Sequence, residues 1–272
     1  MKNTLANIIL PILVIILITI GYKTYTSAVE YEQTTATILE TQNVTDLTKT
    51  NLKTFTNKIS FGWFKDKKKA EINKSKEKKI VLNEQNYNYV IIFTSIVFLI
   101  LMSYFFIDLK IFNIYASLMT IVILFYGLIT PLLMITIHKN VDYVGDVILS
   151  FESKSLIGSI IKLFETGDFL IASVIVLFSV VIPLLKTISL LLISIFEDNL
   201  FTHKLIGFFK MIGKWSMLDV FVVAVLLVFL SVNKGDISRA EVEVGLYIFL
   251  LYVVSSMFVS ISANKMLERI KY

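Results

Sequence analysis

The sequence contains no cysteine. Disulfides, thiolate zinc sites, iron–sulfur clusters and thiol nucleophiles are therefore excluded. Histidine is nearly as scarce, with only His138 and His203, which argues against a histidine-based metal site. No GxSxG, P-loop, HExxH or glycine-rich nucleotide turn occurs, so no catalytic residue is assigned and no cofactor is expected. Charge is thin too: Asp, Glu, Lys and Arg make up 17% of the chain, against about a quarter in soluble domains. The net charge of +5 is largely local, because eight lysines lie between Lys65 and Lys79. That run reads as a solvated face or a contact for anionic headgroups. With no aromatic-interleaved basic module beside it, nucleic acid is not an expected partner.

What the chain has in abundance is apolar sequence: 56% hydrophobic residues and a mean hydropathy of +0.77. The fold class expected is an all-α integral membrane protein with six transmembrane helices and a small extracytoplasmic region. Six stretches are long enough to cross roughly 30 Å of hydrocarbon. They are Leu5 to Gly21, Val90 to Ile107, Ile111 to Ile137, Phe169 to Phe196, Trp215 to Val232 and Val244 to Asn264. Each must be helical, since in lipid a spanning segment satisfies its own backbone. The first follows Lys2 like a signal peptide, but no small-x-small site follows and Lys23 comes next. An uncleaved anchor is the reading adopted.

Short-loop lysines and arginines set the orientation. The loop 197–214 carries Lys204, Lys210 and Lys214, and the tail carries Lys265, Arg269 and Lys271. Both are expected in the cytoplasm, and with six spans both termini are cytoplasmic. The segment 23–89 then lies outside despite its lysines. It is threonine-rich, then lysine-rich, and two helices extending the flanking spans into a polar hairpin are one expectation, partial disorder the other. A second outer segment, 138–168, opens with β-prone residues (Val141 to Phe151), followed by a helical period at Leu156, Ile160, Ile161 and Phe164. The stretch 199–215 is amphipathic and reads as a helix in the cytoplasmic interface.

Two ionisable residues fall within spans, Lys186 and Asp219, and such residues are functional candidates because lipid makes them costly. Both lie toward the cytoplasmic leaflet, so an ion pair between adjacent antiparallel helices is one reading. The other has Lys186 snorkelling to headgroups and Asp219 capping its helix. Pro183, three residues before Lys186, removes a backbone hydrogen bond, and Thr187 adds a hydroxyl beside the lysine. A kink with a polar cluster suits a transport or coupling element, yet kinks are also ordinary features of membrane helices. Pro131 and Gly127 carry the same two readings. Ser256 and Ser260 stand at i,i+4, a spacing that reads first as close helix packing and second as a hydroxyl-lined track.

The block GKWSMLDVFVVAVL, Gly213 to Leu226, resembles the signature of the paraquat-inducible protein A family, as does VIPLLKTISLLLI, Val181 to Ile193. Further similar blocks are Tyr115 to Ile135 and Phe164 to Ser179, so the resemblance runs from Ile111 to about Met266. It implies a domain 111–266 forming a four-helix membrane unit, preceded by an extension 1–110 whose two spans flank the extracytoplasmic segment 23–89. It also implies residence in a bacterial inner (cytoplasmic) membrane and membrane lipids as cargo. The implied partner is an MCE-type (mammalian-cell-entry) periplasmic protein, with Lys186 and Asp219 the matching family lysine and aspartate. The chain departs from the well-known members in having one membrane unit instead of two, and no cysteine-pair zinc ribbons. A homodimer would rebuild the two-unit arrangement.

The expected function is thus a non-enzymatic inner-membrane component of a lipid-transport or envelope-maintenance system, with Lys186, Asp219, Pro183, Thr187 and Ser256 as its intramembrane polar site. The alternative is a structural or assembly protein that anchors an envelope complex through its outer segment.

Overall fold

The computed structural model describes residues 2–41, 63–141, 145–196 and 238–271. The first two helices are α1 (Lys2–Thr41) and α2 (Trp63–Met102). Each has 40 residues, about 60 Å at 1.5 Å per residue, twice the hydrocarbon thickness. The helix that starts in the first span therefore does not stop at Gly21 but continues to Thr41, as the hairpin reading of 23–89 anticipated. The buried positions of α1 explain the pairing. Leu10, Val14, Leu17, Gly21, Thr24, Ala28, Tyr31, Thr35 and Ile38 alternate four and three residues apart, a seam of heptad period. Leu82, Asn86, Tyr89, Phe93, Ile96 and Ile100 repeat the period on α2, with Tyr89 half-buried and the others buried. The seam is apolar in its membrane half and rich in threonine, alanine and tyrosine outside it.

Threonine is a weak helix former whose hydroxyl competes for backbone. Here the competition is resolved inside the helix. Thr24 donates to the Ile20 carbonyl at 2.8 Å, Thr34 to Glu30 at 2.8 Å and Thr35 to Tyr31 at 3.0 Å. The outer half of α1 thus keeps its helical ladder while these threonine hydroxyls are satisfied within it.

A short 3-10 turn, Ser103–Phe105, leads to α3 (Leu109–Ile129). The expected third span, Ile111 to Ile137, is corrected here. The helix stops at Ile129, Thr130 is extended at φ −75° and ψ 142°, and Pro131 opens a strand. A residue preceding proline is pushed out of the α region, so Pro131 ends α3 where a kink was one expectation. Strands β1 (Pro131–Val141) and β2 (Gly145–Ser155) form an antiparallel hairpin, Pro131 opposite Ser155. The β-prone stretch anticipated at 141–151 is therefore the second of two strands. Strand β3 (Ser238–Val242) pairs antiparallel with β1, giving the order β2-β1-β3. An otherwise helical membrane protein thus carries a three-stranded sheet at one end.

From β2 the chain enters α4 (Leu156–Glu165), capped where the Ser155 hydroxyl accepts from the Gly158 N–H at 3.0 Å. Gly167, at φ 87°, turns the chain into α5 (Phe169–Val176), a π turn (Leu177–Val181) and α6 (Ile182–Ile195). The last helix is α7 (Val244–Lys271). Five helical segments among the described residues are long and apolar enough to span: Ala6–Glu40, Asn73–Phe105, Leu109–Ile129, Phe169–Ile195 and Val244–Met266. The expected span Trp215 to Val232, the amphipathic stretch 199–215 and Asp219 lie outside the described residues. Ile195 stands at the end of the bundle far from the sheet, whereas Ser238 pairs into the sheet.

The spans meet at glycines. A Cβ on Gly21 would lie 2.3 Å from the Tyr126 ring, whose hydroxyl donates to the Ile18 carbonyl at 3.0 Å. Gly127 faces the backbone of Phe249, the Cβ site lying 3.1 Å from its Cα. These two contacts fix α1 and α7 against α3, so Gly127 serves packing. Gly245 admits the first turn of α7 under the Thr130–Pro131 bend, where a Cβ would come within 2.5 Å of both carbonyl oxygens. Gly245→Ala is therefore expected to lower stability by about 1–3 kcal/mol, the usual cost of overpacking. Unfolding of the purified protein in detergent, followed by far-UV circular dichroism, measures this.

Candidate functional site

Helices α3, α6 and α7 share a small apolar core near the far end, built from Phe112, Ala116, Leu190, Ile193, Val259, Ala263 and Met266. Interleaved with this core and continuing toward the sheet, the same helices carry buried polar residues. On α3 the buried residues Asn113, Ser117 and Thr120 form an i,i+4,i+7 stripe, and α6 contributes buried Lys186, Thr187, Ser189 and Ser194. Ser255, Ser256 and Ser262 are the buried hydroxyls of α7. Two contacts align α3 and α7. The Asn113 amide donates to the Met266 sulfur at 3.4 Å, and Gly127 meets Phe249, so α3 and α7 run antiparallel with Ser117 level with Ser262.

Lys186 has 1% of its surface exposed. It lies nine residues before the end of α6 and Thr120 lies 11 after the start of α3, about 14 and 16 Å from the far end at 1.5 Å per residue. The two residues thus stand at similar heights in the bundle, within spans long and apolar enough to cross a membrane. Lys186 is packed inside the protein and not along its outer face. The reading that pairs it with Asp219 concerns a residue outside the described ones.

Pro183 and Thr187 stand with Lys186 on α6. The proline ring would clash with the carbonyl of residue 179 in a regular helix. The chain answers by widening into the π turn Leu177–Val181 just before it, closed by the Ile182 N–H donating to the Leu177 carbonyl. Such π turns are frequent at functional positions in helices. Thr187 donates to the Pro183 carbonyl at 2.9 Å, tying the turn before the lysine to the turn after it. Ser256 is on a different helix. Its hydroxyl donates to the Val253 carbonyl at 3.1 Å, and Ser260 donates to the Ser256 carbonyl at 2.6 Å. Both hydroxyls thus serve α7 itself, and only depth links Ser256 to Lys186.

The sequence did not single out Asn113, Ser117 or Thr120, because the run around them carries no charge. Their i,i+4,i+7 spacing was the available signal. Asn113 Oδ1, Ser117 Oγ, Ser255 Oγ and Ser262 Oγ are buried with no hydrogen-bond partner among the described residues. An unsatisfied buried polar atom costs about 1–3 kcal/mol. The seam is therefore a poor way to hold helices together and a ready lining for polar groups. Among the described residues no three His, Asp or Glu side chains gather to hold a metal.

A second polar cluster sits where the hairpin meets the sheet. Tyr31, Leu82 and Met134 pack together with Phe151 against them. The Tyr31 hydroxyl donates to Glu241 Oε2 at 3.1 Å, Lys79 Nζ lies 3.6 Å from the same oxygen and stands over the Tyr31 ring. Beside them, Glu243 joins β3 to α7 with its side chain buried. Burial, then the neighbouring Glu241 carboxylate and more weakly Glu32, pushes its carboxyl up to about 7, against the pull of Lys79 and the Val244 N–H.

Residues 144–268 match the family model described as Paraquat-inducible protein A. Among curated proteins, the Intermembrane transport protein PqiA of Escherichia coli (strain K12) is 30% identical over 121 residues, 42% of this chain and 28% of that protein. Proteins of the same name from Escherichia coli O6:H1 and Shigella flexneri match with the same figures. The chain therefore spans well under a third of the length of these relatives. No solved structure matches. The matched stretch holds Pro183, Lys186, Thr187 and Ser256, as well as position 219. It leaves out α1, α2, α3 and β1, so the polar stripe of α3 comes from outside it.

Two substitutions test these environments. Lys186→Met keeps the volume and removes a buried charge, so insertion into the membrane should persist at the wild-type level, which membrane fractionation measures. Glu243 has its folded pKa raised, so between about pH 4.5 and 7 the folded state holds the extra proton and stability falls as pH rises. Glu243→Gln should exceed the wild type in stability at pH 8, by up to about 3 kcal/mol. That difference should close below about pH 4.5, which denaturation at the two pH values measures.

Proposed function

Starting from the Paraquat-inducible protein A domain that residues 144–268 carry, we propose that this multi-pass membrane protein is a non-enzymatic component of a lipid-transport system that maintains the cell envelope. The relatives it resembles are named intermembrane transport proteins, and the part it shares with them is the part that buries Lys186. That burial is the observation on which the reading rests. A charged side chain near the bilayer centre costs about 2.5–3.5 kcal/mol on insertion scales, and simple helix packing gives no return for it.

The chemistry of a lipid suits the seam. Its tails can remain in the hydrocarbon while its headgroup needs polar company through the membrane's middle. Lys186, the stripe Asn113–Ser117–Thr120 and the serines of α7 offer a cation, an amide and a row of hydroxyls to such a headgroup. Lys186 and Asp219 act as a polar or proton-linked switch, and the π turn before Pro183 gives α6 a place to bend. In this reading the protein sits in a bacterial inner membrane with both termini in the cytoplasm, and the hairpin and sheet face outward. It works with an MCE-type periplasmic protein and pairs as a homodimer to supply two membrane units. An assembly role has one observation in its favour: α1 and α2 continue about 30 Å beyond the membrane, far more than a four-helix transport core requires.

Lys186→Met and Asp219→Asn separate the readings. Both variants should insert at the wild-type level, and cells carrying either should lose resistance to detergents that an intact envelope excludes. Full resistance in both would refute the transport mechanism and favour assembly.

A further inference from the structure

Apart from Lys79, which reaches Glu241 on the sheet, the lysine run of the hairpin has no part in the seam or sheet contacts described above. Lys65 to Lys79 holds eight lysines and three acids, Asp66, Glu71 and Glu77, a net charge of +5. That equals the net charge of the whole chain, so the rest of the protein is balanced. All of these positions lie on α2, which runs without a break into its membrane span. From Val90, where the apolar sequence begins, α2 climbs about 16 Å to Lys79 and about 37 Å to Lys65 at 1.5 Å per residue. Those distances are two Debye lengths or more at a physiological ~8 Å. The run is thus screened from the headgroups of its own membrane.

Its geometry selects among other partners. The charges are stacked along the axis of the span, and a second bilayer would meet only the tip. A protein lying beside the rod would meet its length. Lys74, Lys76 and Lys78 are exposed, Lys78 while pairing with Glu30 at 2.7 Å. Immediately below them, Ile80 and Val81 are 62% and 51% exposed, about 15 Å above the span and flanked by Lys79 and Asn83. Lys74, Lys78 and Val81 stand at i,i+4,i+7 on one face of α2, and an apolar side chain in water beside a charged stripe is the composition of an interface, an anchor within a polar surround.

We propose that the outer half of α2 docks a soluble extracytoplasmic protein that lies along the rod, turns an acidic stripe to Lys74 and Lys78, and seats an apolar side chain on Val81. The proposal rests on the transport reading only for the compartment, and an assembly protein would use the same face.

A photo-crosslinking amino acid in place of Glu77, in the full chain in its native cell, provides the test. The expected adduct is with a protein bearing an acidic surface. Its yield should fall at least tenfold in Lys74→Glu/Lys78→Glu and in Val81→Ser, both inserted and melting like the wild type. The purified partner should bind the chain in neutral-lipid nanodiscs, more weakly as salt is added. Adducts to lipid alone would assign the lysines to a bilayer and overturn the proposal. Absence of any adduct, or a yield that survives in both variants, would overturn it too. Loss of the adduct in a strain whose detergent resistance is intact would separate this docking from the transport mechanism.

Discussion

Helices in a bilayer gain nothing by hiding apolar surface from one another, because lipid tails are as apolar as leucine. Close approach has to do the work, and in this protein it happens at three glycines. Gly21 takes the ring of Tyr126, Gly127 takes the backbone of Phe249, and Gly245 slides under the carbonyls of Thr130 and Pro131. Two of these contacts involve α3 directly and the third involves the bend at its end. The helix outside the matched stretch is therefore the one against which both the hairpin and the last span are placed. The extension 1–110 is not an appendage in this structure, since α1 lies against α3 and its outer half against β2 and the sheet residue Met134.

With packing secured elsewhere, the polar seam is free to be costly. Four buried oxygens without partners among the described residues, and a buried lysine, would be a liability in a purely structural bundle. The apolar cluster from Phe112 to Met266 closes the seam at its far end. The Tyr104, Phe105, Phe112 and Phe258 rings meet edge to face there. Lys265 donates to the Tyr104 hydroxyl at 3.2 Å, tying the end of α2 to α7. The far end is stapled by these rings, and the oxygens without partners among the described residues begin there at Asn113, beside Met266, and continue to Ser255 deeper in the bundle.

How much of this was legible in the sequence depends on what lipid penalises. Lys186 and Pro183 stood out because a charge and a missing N–H are costly at any register, and the structure places both in one buried turn. Asn113, Ser117 and Thr120 did not, since uncharged polar residues barely disturb an apolar run, and only a neighbour helix shows that they face inward. The sheet was half legible. Pro131 to Ile137 is apolar enough to read as helix, and a short apolar run cannot be assigned by periodicity alone. What decides it is Thr130, forced extended by the proline after it. The heptad of α1 was legible in spacing but disguised in composition, because beyond Gly21 its seam positions are Thr24, Ala28, Tyr31 and Thr35 in place of leucines.

The sheet is the joint between the two halves of the molecule. It receives α3 through Pro131, hands the chain on to α4 and α5, and gives rise to α7 through Glu243. On its other side it holds the hairpin through Tyr31, Lys79 and Glu241. Glu243 is thus connected both ways: its backbone N–H donates to the Leu132 carbonyl at 3.0 Å and its own carbonyl accepts from Leu246 at 3.2 Å in the first turn of α7. Its buried carboxyl faces Glu241, Lys79 and Glu32. Lys79 thus joins the hairpin to the carboxylates of Glu241 and Glu243. Glu243 opens the helix that carries Ser255, Ser256 and Ser262 down to the level of Lys186. A contact made outside the membrane and a polar site within it are in this way separated by one ion cluster and one helix.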